Sequence, residues 1–253
     1  MKVTYKTIAK CLLGAALGAV AVSASAQDSK GSNFSVSADL VSSYVWRGVA
    51  QESSKGGSPN IQPTATYTLG AFSVGAWGSY AFSGEVKEVD LNATLALSSA
   101  FSVTVTDYNW NNSNSNNNTL TTTGYANYFN YKGNGTGHIF EGTLAYGGTT
   151  AFPLSISLNT MFYGADKKIN STNNAYSTYV EMGYPVASNV KAFLGSSLVS
   201  SQTYGNNGFS VINIGVKISK EIKVSSTFSL PVYGIVGVNP QAEKAFFVAG
   251  ITL

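Results

Sequence analysis

From Phe34 onward, apolar and polar side chains alternate along most of the chain, the period-2 pattern of strands whose two faces meet different surroundings. In the first segment Phe34, Val36, Ala38, Leu40, Tyr44 and Trp46 share one parity, and Ser35, Ser37, Asp39, Ser43 and Arg47 share the other. In the second, Ile61, Pro63, Ala65, Tyr67 and Leu69 alternate with Gln62, Thr64, Thr66 and Thr68. The third sets Phe72, Val74, Ala76, Tyr80 and Phe82 against Ser73, Gly75, Trp77 and Ser79; the fourth sets Val89, Leu91, Ala93, Leu95 and Leu97 against Glu88, Asp90, Asn92 and Thr94. A fifth begins at Phe101, a sixth holds Phe140, Leu144 and Tyr146, and a seventh runs through Leu154, Ile156, Leu158 and Phe162. Five more are expected over Tyr176–Tyr184, Val190–Leu198, Ser210–Ile218, Val224–Val232 and Lys244–Leu253, for about twelve in all.

Charge sorts the two faces. Asp39, Arg47, Glu88, Asp90, Glu141, Glu181, Lys191, Lys217 and Lys244 fall on the polar parity of their segments, and the apolar parity is nearly free of charge. A Lys or Arg facing lipid near the bilayer midplane costs about 2–4 kcal/mol, so such sorting is what a membrane barrel requires. Asp107 and His138 depart from the rule, but both adjoin the longest connection.

Brief links near Gly70, Ser98–Ala100, Gly148–Pro153, Pro185–Asn189 and Ser219–Lys223 alternate with longer polar ones. The longer set is Ala50–Pro59, Ser83–Lys87, Asn109–Gly137, Gly164–Ala175, Val199–Gly208 and Gly234–Glu243. Together these features predict an all-β fold: a closed antiparallel transmembrane β-barrel with short periplasmic turns and longer extracellular loops. A soluble sandwich or lipocalin-like barrel, with the apolar face inward, is the alternative, and the scarcity of charge argues against it.

Charged residues make up 11% of the chain, under half the usual share of a soluble domain, while aromatics reach 12% and glycines number 26. Ahead of the alternating region Lys2, Lys6 and Lys10 precede an apolar stretch from Cys11 to Val22 and then Ala24-Ser25-Ala26, the order of a secretory signal. The expected division is therefore a signal peptide over 1–26, cleaved after Ala26, and one outer-membrane barrel domain over 27–253. Without the three signal lysines, 12 basic residues face 12 acidic ones, and this balance gives no support for a nucleic-acid partner. The one cysteine, Cys11, lies within the signal, so neither a disulfide nor a thiolate metal site is expected beyond it.

Candidate chemistry is sparse. His138 is the one histidine, the position two residues on is Phe140 rather than a nucleophile, and the preceding Gly135-Thr136-Gly137 reads as loop. A rim histidine is thus preferred to a general base, and no catalytic residue, metal site or cofactor is expected. Asn111–Asn118 forms a low-complexity tract. The aromatic group after it, Tyr125, Tyr128, Phe129 and Tyr131, is expected to extend the flanking strands above the membrane rather than to form a carbohydrate platform. The polar parity would line the lumen and set solute preference. Its candidates are Asp39, Arg47, Trp77, Glu88, Asp90, Glu141, Tyr179, Glu181, Lys191 and Lys217. Arg47 could pair with Asp39, Glu88 or Asp90, and Lys191 or Lys217 with Glu181, either bracing the interior or leaving groups for a solute.

The opening strands resemble the TorF family of porins (Gcw_chp-type bacterial outer-membrane proteins). The resemblance rests on Ser42-Ser43-Tyr44-Val45-Trp46-Arg47-Gly48-Val49-Ala50-Gln51, on Pro59 and Gln62, on Gly75-Ala76-Trp77-Gly78-Ser79, and on the acids Glu88 and Asp90. Glu141 and Glu181 match later family acids less closely. The resemblance implies a small barrel with pore activity. Its partners would be outer-membrane lipid and lipopolysaccharide, the barrel insertion machinery and small solutes. One departure is the C-terminus: such barrels usually end in an aromatic residue, and this chain ends in Leu253. The function expected is passive diffusion of small solutes through a narrow polar lumen, with a non-conducting structural or surface-interaction barrel carrying an Asn-rich loop as the alternative.

Overall fold

The computed structural model describes residues 33–52, 57–110, 128–133 and 135–253; the expected signal peptide, the Asn111–Asn118 tract and Tyr125 lie outside them. Sixteen strands follow in chain order: β1 (Phe34–Val41), β2 (Val45–Trp46), β3 (Val49–Ala50), β4 (Asn60–Leu69), β5 (Phe72–Ala81), β6 (Lys87–Ala96), β7 (Phe101–Asn109), β8 (His138–Tyr146), β9 (Ser155–Gly164), β10 (Thr178–Ala187), β11 (Val190–Ser197), β12 (Ser200–Ser201), β13 (Asn206–Asn207), β14 (Ser210–Lys223), β15 (Ser229–Asn239) and β16 (Lys244–Thr252). Twelve of them close into one barrel in the order β1-β16-β15-β14-β11-β10-β9-β8-β7-β6-β5-β4. Every neighbouring pair in it is antiparallel, and β1 closes the ring against β16 through Asp39↔Thr252, Leu40↔Ile251 and Val41↔Gly250. Closure leaves no strand edge with unpaired backbone groups. No helix occurs among the described residues.

The alternation becomes an outside and an inside. Val36, Leu69, Phe72, Leu95, Phe101, Val105, Leu144, Leu158, Ile214, Val236 and Phe247 are exposed on the outer wall. The interleaved Thr94, Thr104, Thr106, Thr143, Asn159 and Asn213 are buried inside. Many of these polar groups satisfy one another across strands, as in Thr94–Thr104 at 2.8 Å and Thr143 donating to Asn159 at 2.9 Å. Such pairs let the interior hold polar side chains without stranding them. On the β10–β16 side, inward glycines make room for rings laid against the wall. A Cβ on Gly195 would sit 1.9 Å from the Tyr179 hydroxyl, and one on Gly250 would sit 2.2 Å from the Tyr233 ring. The aromatic covers the glycine of the adjoining strand.

Three expectations about element bounds change. The first strand does not run on to Trp46: β1 stops at Val41, and Tyr44, Trp46 and Arg47 belong to a separate fold of the chain. The link placed at Ser219–Lys223 is part of β14, which pairs with β15 as far as Lys223↔Ser229. The turn is 224–228, and Gly234–Asn239 lies in β15 rather than in a long loop. Val224 and Phe228, read as strand residues, instead pair backbone groups across that turn. Lys220 sits on the apolar parity of β14, between Ile218 and Ile222. Third, Tyr128, Phe129 and Tyr131 extend no strand. The carbonyl of Tyr128 and the ring of Tyr131 cover His138 instead.

Candidate functional site

The connection after β1 folds inward. β2 and β3 form a two-residue hairpin closed by Trp46↔Val49, with Arg47 and Gly48 at its tip. Both tip residues have positive φ, 51° and 79°, the paired left-handed conformation of a type I′ turn. Glycine takes this without strain; arginine does not, and it is held there by what its side chain reaches. The tip is wedged against the wall at β14 and β15. A Cβ on Gly48 would lie 2.0 Å from the Ile212 carbonyl oxygen, and Asn239 Nδ2 donates to the Gly48 carbonyl at 3.1 Å. At the base of the hairpin Glu52 accepts from Ser43 Oγ at 3.0 Å, from the Tyr44 amide at 2.5 Å and from Asn60 Nδ2 at 2.5 Å. Ile212 itself reaches the interior, fully buried, because a β-bulge opposite Gly195/Ser196 breaks the alternation of β14.

From this tip the Arg47 guanidinium reaches β8. Nη1 donates to Glu141 Oε2 at 2.6 Å and Nη2 donates to Oε1 at 2.8 Å, a bidentate pair in which Glu141 is wholly buried. Nη1 also donates to the Tyr204 hydroxyl at 2.6 Å, and Tyr108 donates to Glu141 Oε1 at 3.0 Å. The guanidinium lies 4.5 Å from the Trp46 ring and 4.8 Å from that of Tyr179. Tyr204 comes from a second small hairpin, β12 with β13, and stacks on Trp46 at 5.6 Å between centroids. Burial works against the Arg47 charge, but the Glu141 carboxylate outweighs it and holds the guanidinium above its ordinary range. The result is a crossbar: two loop hairpins, one cation and one carboxylate joined across the interior from β14 and β15 to β8.

Arg47 therefore pairs with Glu141, not with Asp39, Glu88 or Asp90. Asp39 accepts from Tyr233 at 3.0 Å and from Thr252 at 2.7 Å. Glu181 takes the Tyr179 hydroxyl at 2.6 Å and Asn213 Nδ2 at 3.3 Å, in place of the expected lysines. Lys217 lies 3.9 Å from the Tyr233 ring centroid, and the stem of Lys191 crosses the Gly183 backbone. Trp77 is buried against Tyr44 at 5.5 Å. Glu88 and Asp90 are both buried, on β6, and only Asp90 Oδ1 has a partner, the Asn109 amide at 3.2 Å. Tyr204, Tyr108, Ile212, Asn239 and Glu52 were not among the sequence candidates. Tyr204 and Glu52 sit in connections where period 2 says nothing, and Ile212 is disguised by its bulge.

His138 lies outside this cluster, fully buried at the start of β8. Its Nδ1 is 2.7 Å from Asp107 Oδ1, its Nε2 is 2.5 Å from the Tyr128 carbonyl, and Tyr131 stacks on it at 4.2 Å. Both ring nitrogens are engaged, one by a carboxylate and one by a main-chain carbonyl. Among the described residues no group of three or more His, Cys, Asp or Glu gathers as a metal centre would.

Adding a single methyl at the tip tests how the hairpin is seated. Gly48→Ala must relieve a 2.0 Å clash with Ile212 and adopt a left-handed backbone that costs about 1–2 kcal/mol. The hairpin is expected to leave its seat, so that trypsin cuts after Arg47 in folded protein. Equal resistance of variant and parent would show that the wedge does not hold the hairpin.

Two of the solved structures similar to this chain are KdgM porins. A KdgM porin is 13% identical, matched over 85% of this chain and 97% of its own, at a TM-score of 0.49. A KdgM porin in complex with disordered oligogalacturonate is 11% identical over the same shares, at 0.46. No family model matches the chain, and no curated protein matches it. The resemblance of the opening strands to TorF porins therefore stands on its residues alone.

Proposed function

We propose that the protein is a bacterial outer-membrane channel of porin type, passing small solutes through a narrow polar lumen whose tightest point is the Arg47–Glu141 crossbar. The observation that carries this reading is the closed barrel with the two wall chemistries reversed relative to a soluble protein. Its outer wall is a broad belt of large hydrophobics and its inner wall holds Thr, Asn, Glu and Lys. An apolar surface of that extent needs lipid to cover it, and a closed barrel is one of two structures that can cross lipid with every backbone group satisfied. The TorF-like segments at 42–51 and 75–79 support the same reading.

In this reading the connections at 42–52, 57–59, 82–86, 128–133, 135–137, 165–177, 198–209 and 240–243 face outward from the cell, and the opposite turns face the periplasm. Outer-membrane lipid, lipopolysaccharide and the insertion machinery are its partners, and residues 1–26 are removed on export. Asp39, Glu88, Asp90, Glu181, Lys191 and Lys217 line the path, Trp77 and Tyr179 narrow it, and no chemistry is performed on the solute. Folded protein in planar bilayers is expected to give small, discrete conductance steps. A flat baseline from folded protein, in the parent and in a variant without Arg47, would overturn the channel and leave a structural barrel. The crossbar itself favours that second reading, because it joins opposite walls.

A further inference from the structure

The interior holds two acids that the crossbar does not use. Glu88 is fully buried and Asp90 is 2% exposed, two residues apart on the same face of β6. Neither Glu88 oxygen has a hydrogen-bond partner, nor has Asp90 Oδ2. The Tyr44 phenol lies beside Glu88, and burial, then the two neighbouring carboxylates, raises that phenol well above its usual range. Asn109, Trp77 and Trp110 close the surroundings: Asn109 through its amide on Asp90, Trp77 opposite Asp90 in the β5–β6 register, and Trp110 bridged to Glu88. Trp110 Nε1 is also buried without a partner.

Among the described residues no salt bridge is seen at Glu88 or Asp90: the Arg47 fork is committed to Glu141 and Tyr204, and His138 lies against Asp107. An ionised carboxylate stripped of water and of any donor is among the costliest groups a protein can bury. The pair thus brings three unpartnered carboxylate oxygens to one face of β6.

We propose that Glu88 and Asp90 form an inner cation site that takes one divalent ion, calcium in preference to magnesium. The donors are all oxygen, which excludes a thiolate or imidazole centre and suits a hard cation. Two carboxylates match one divalent charge, so binding leaves that part of the wall neutral. Calcium tolerates irregular, partly backbone-supplied shells, whereas magnesium demands a near-regular octahedron and keeps several of its waters. The ion would tie β6 to the Tyr44 segment and so brace the root of the crossbar hairpin. The proposal does not depend on the barrel conducting.

The test is thermal unfolding and calcium binding on the full mature protein, refolded in detergent without lipopolysaccharide and stripped with a chelator. Calcium is expected to bind saturably and to raise the unfolding midpoint with its concentration. Magnesium should do so less and sodium not at all. The isosteric Glu88→Gln/Asp90→Asn double variant, its folding checked by heat-dependent migration, is expected to lose both effects. Glu85→Gln, in the connection before β6, serves as a control for surface binding and should retain them. Calcium binding unchanged in the double variant would place the ion elsewhere. An absence of binding in the parent would mean that protons alone neutralise the pair, and either result overturns the proposal.

Discussion

Replacing Arg47 by alanine is expected to cost about 3–5 kcal/mol of stability and to raise conductance, the larger of the two effects being the one on the pore. The cost follows from Glu141, which is wholly buried and would keep only Tyr108 and the weaker Thr143 contact after losing a bidentate partner. Much of it is the penalty of the abandoned carboxylate rather than the worth of the pair. The Arg47→Ala/Glu141→Ala double variant should therefore be less destabilised than the two single effects added together. Equilibrium unfolding of the four proteins in detergent or lipid gives that cycle directly. Conductance follows another logic: in the proposed channel the guanidinium, over the Trp46 ring and bonded to Tyr204, would stand in the solute's way. Removing it frees Tyr204 and unpins the hairpin at one end, leaving the Gly48 wedge. Steps no larger than those of the parent would show that the constriction lies elsewhere.

The second large effect is on the outer wall. Val105 is at the centre of β7 and 47% exposed, next to the inward Thr104, which is 5% exposed. Val105→Arg is expected to destabilise the protein in lipid vesicles by about 2–4 kcal/mol, because the charge would sit near the bilayer midplane. In a soluble barrel with this face in water the same change would be close to neutral. Unfolding in vesicles thus decides between lipid and water as the solvent of the outer wall, independently of any solute path.

The barrel was legible because its information is local and repeated. Each strand restates the same contrast between faces, so that errors at Ser219–Lys223 and Gly234–Asn239 shifted bounds without changing the count of barrel strands. The charge parity carries most weight: the alternation puts Glu88, Asp90, Glu141, Glu181 and Lys217 on one face, and all five are inward. The site was legible only in part. Arg47, Glu141 and Tyr179 were singled out, but as wall residues of a simple lumen, and the partner assigned to Arg47 was wrong in each of the three choices considered. Tyr44 and Trp46 were placed on the lipid face and are buried inside, since the chain turns in after Val41.

What the amino-acid pattern determined by itself is the division of the chain into strands and the chemistry of the two walls. Both follow from side chains meeting solvent at a period of two, which neighbours in sequence are enough to express. What the tertiary structure decided is the interior arrangement: Arg47 on Glu141, 94 positions away, Tyr204 on Trp46, and Gly48 under Ile212. Those contacts join connections to distant walls, and they exist only once the ring has closed and its volume can be filled. The period that revealed the strands has no reach across the lumen, so the sequence could show that charged groups face inward and not which of them meet.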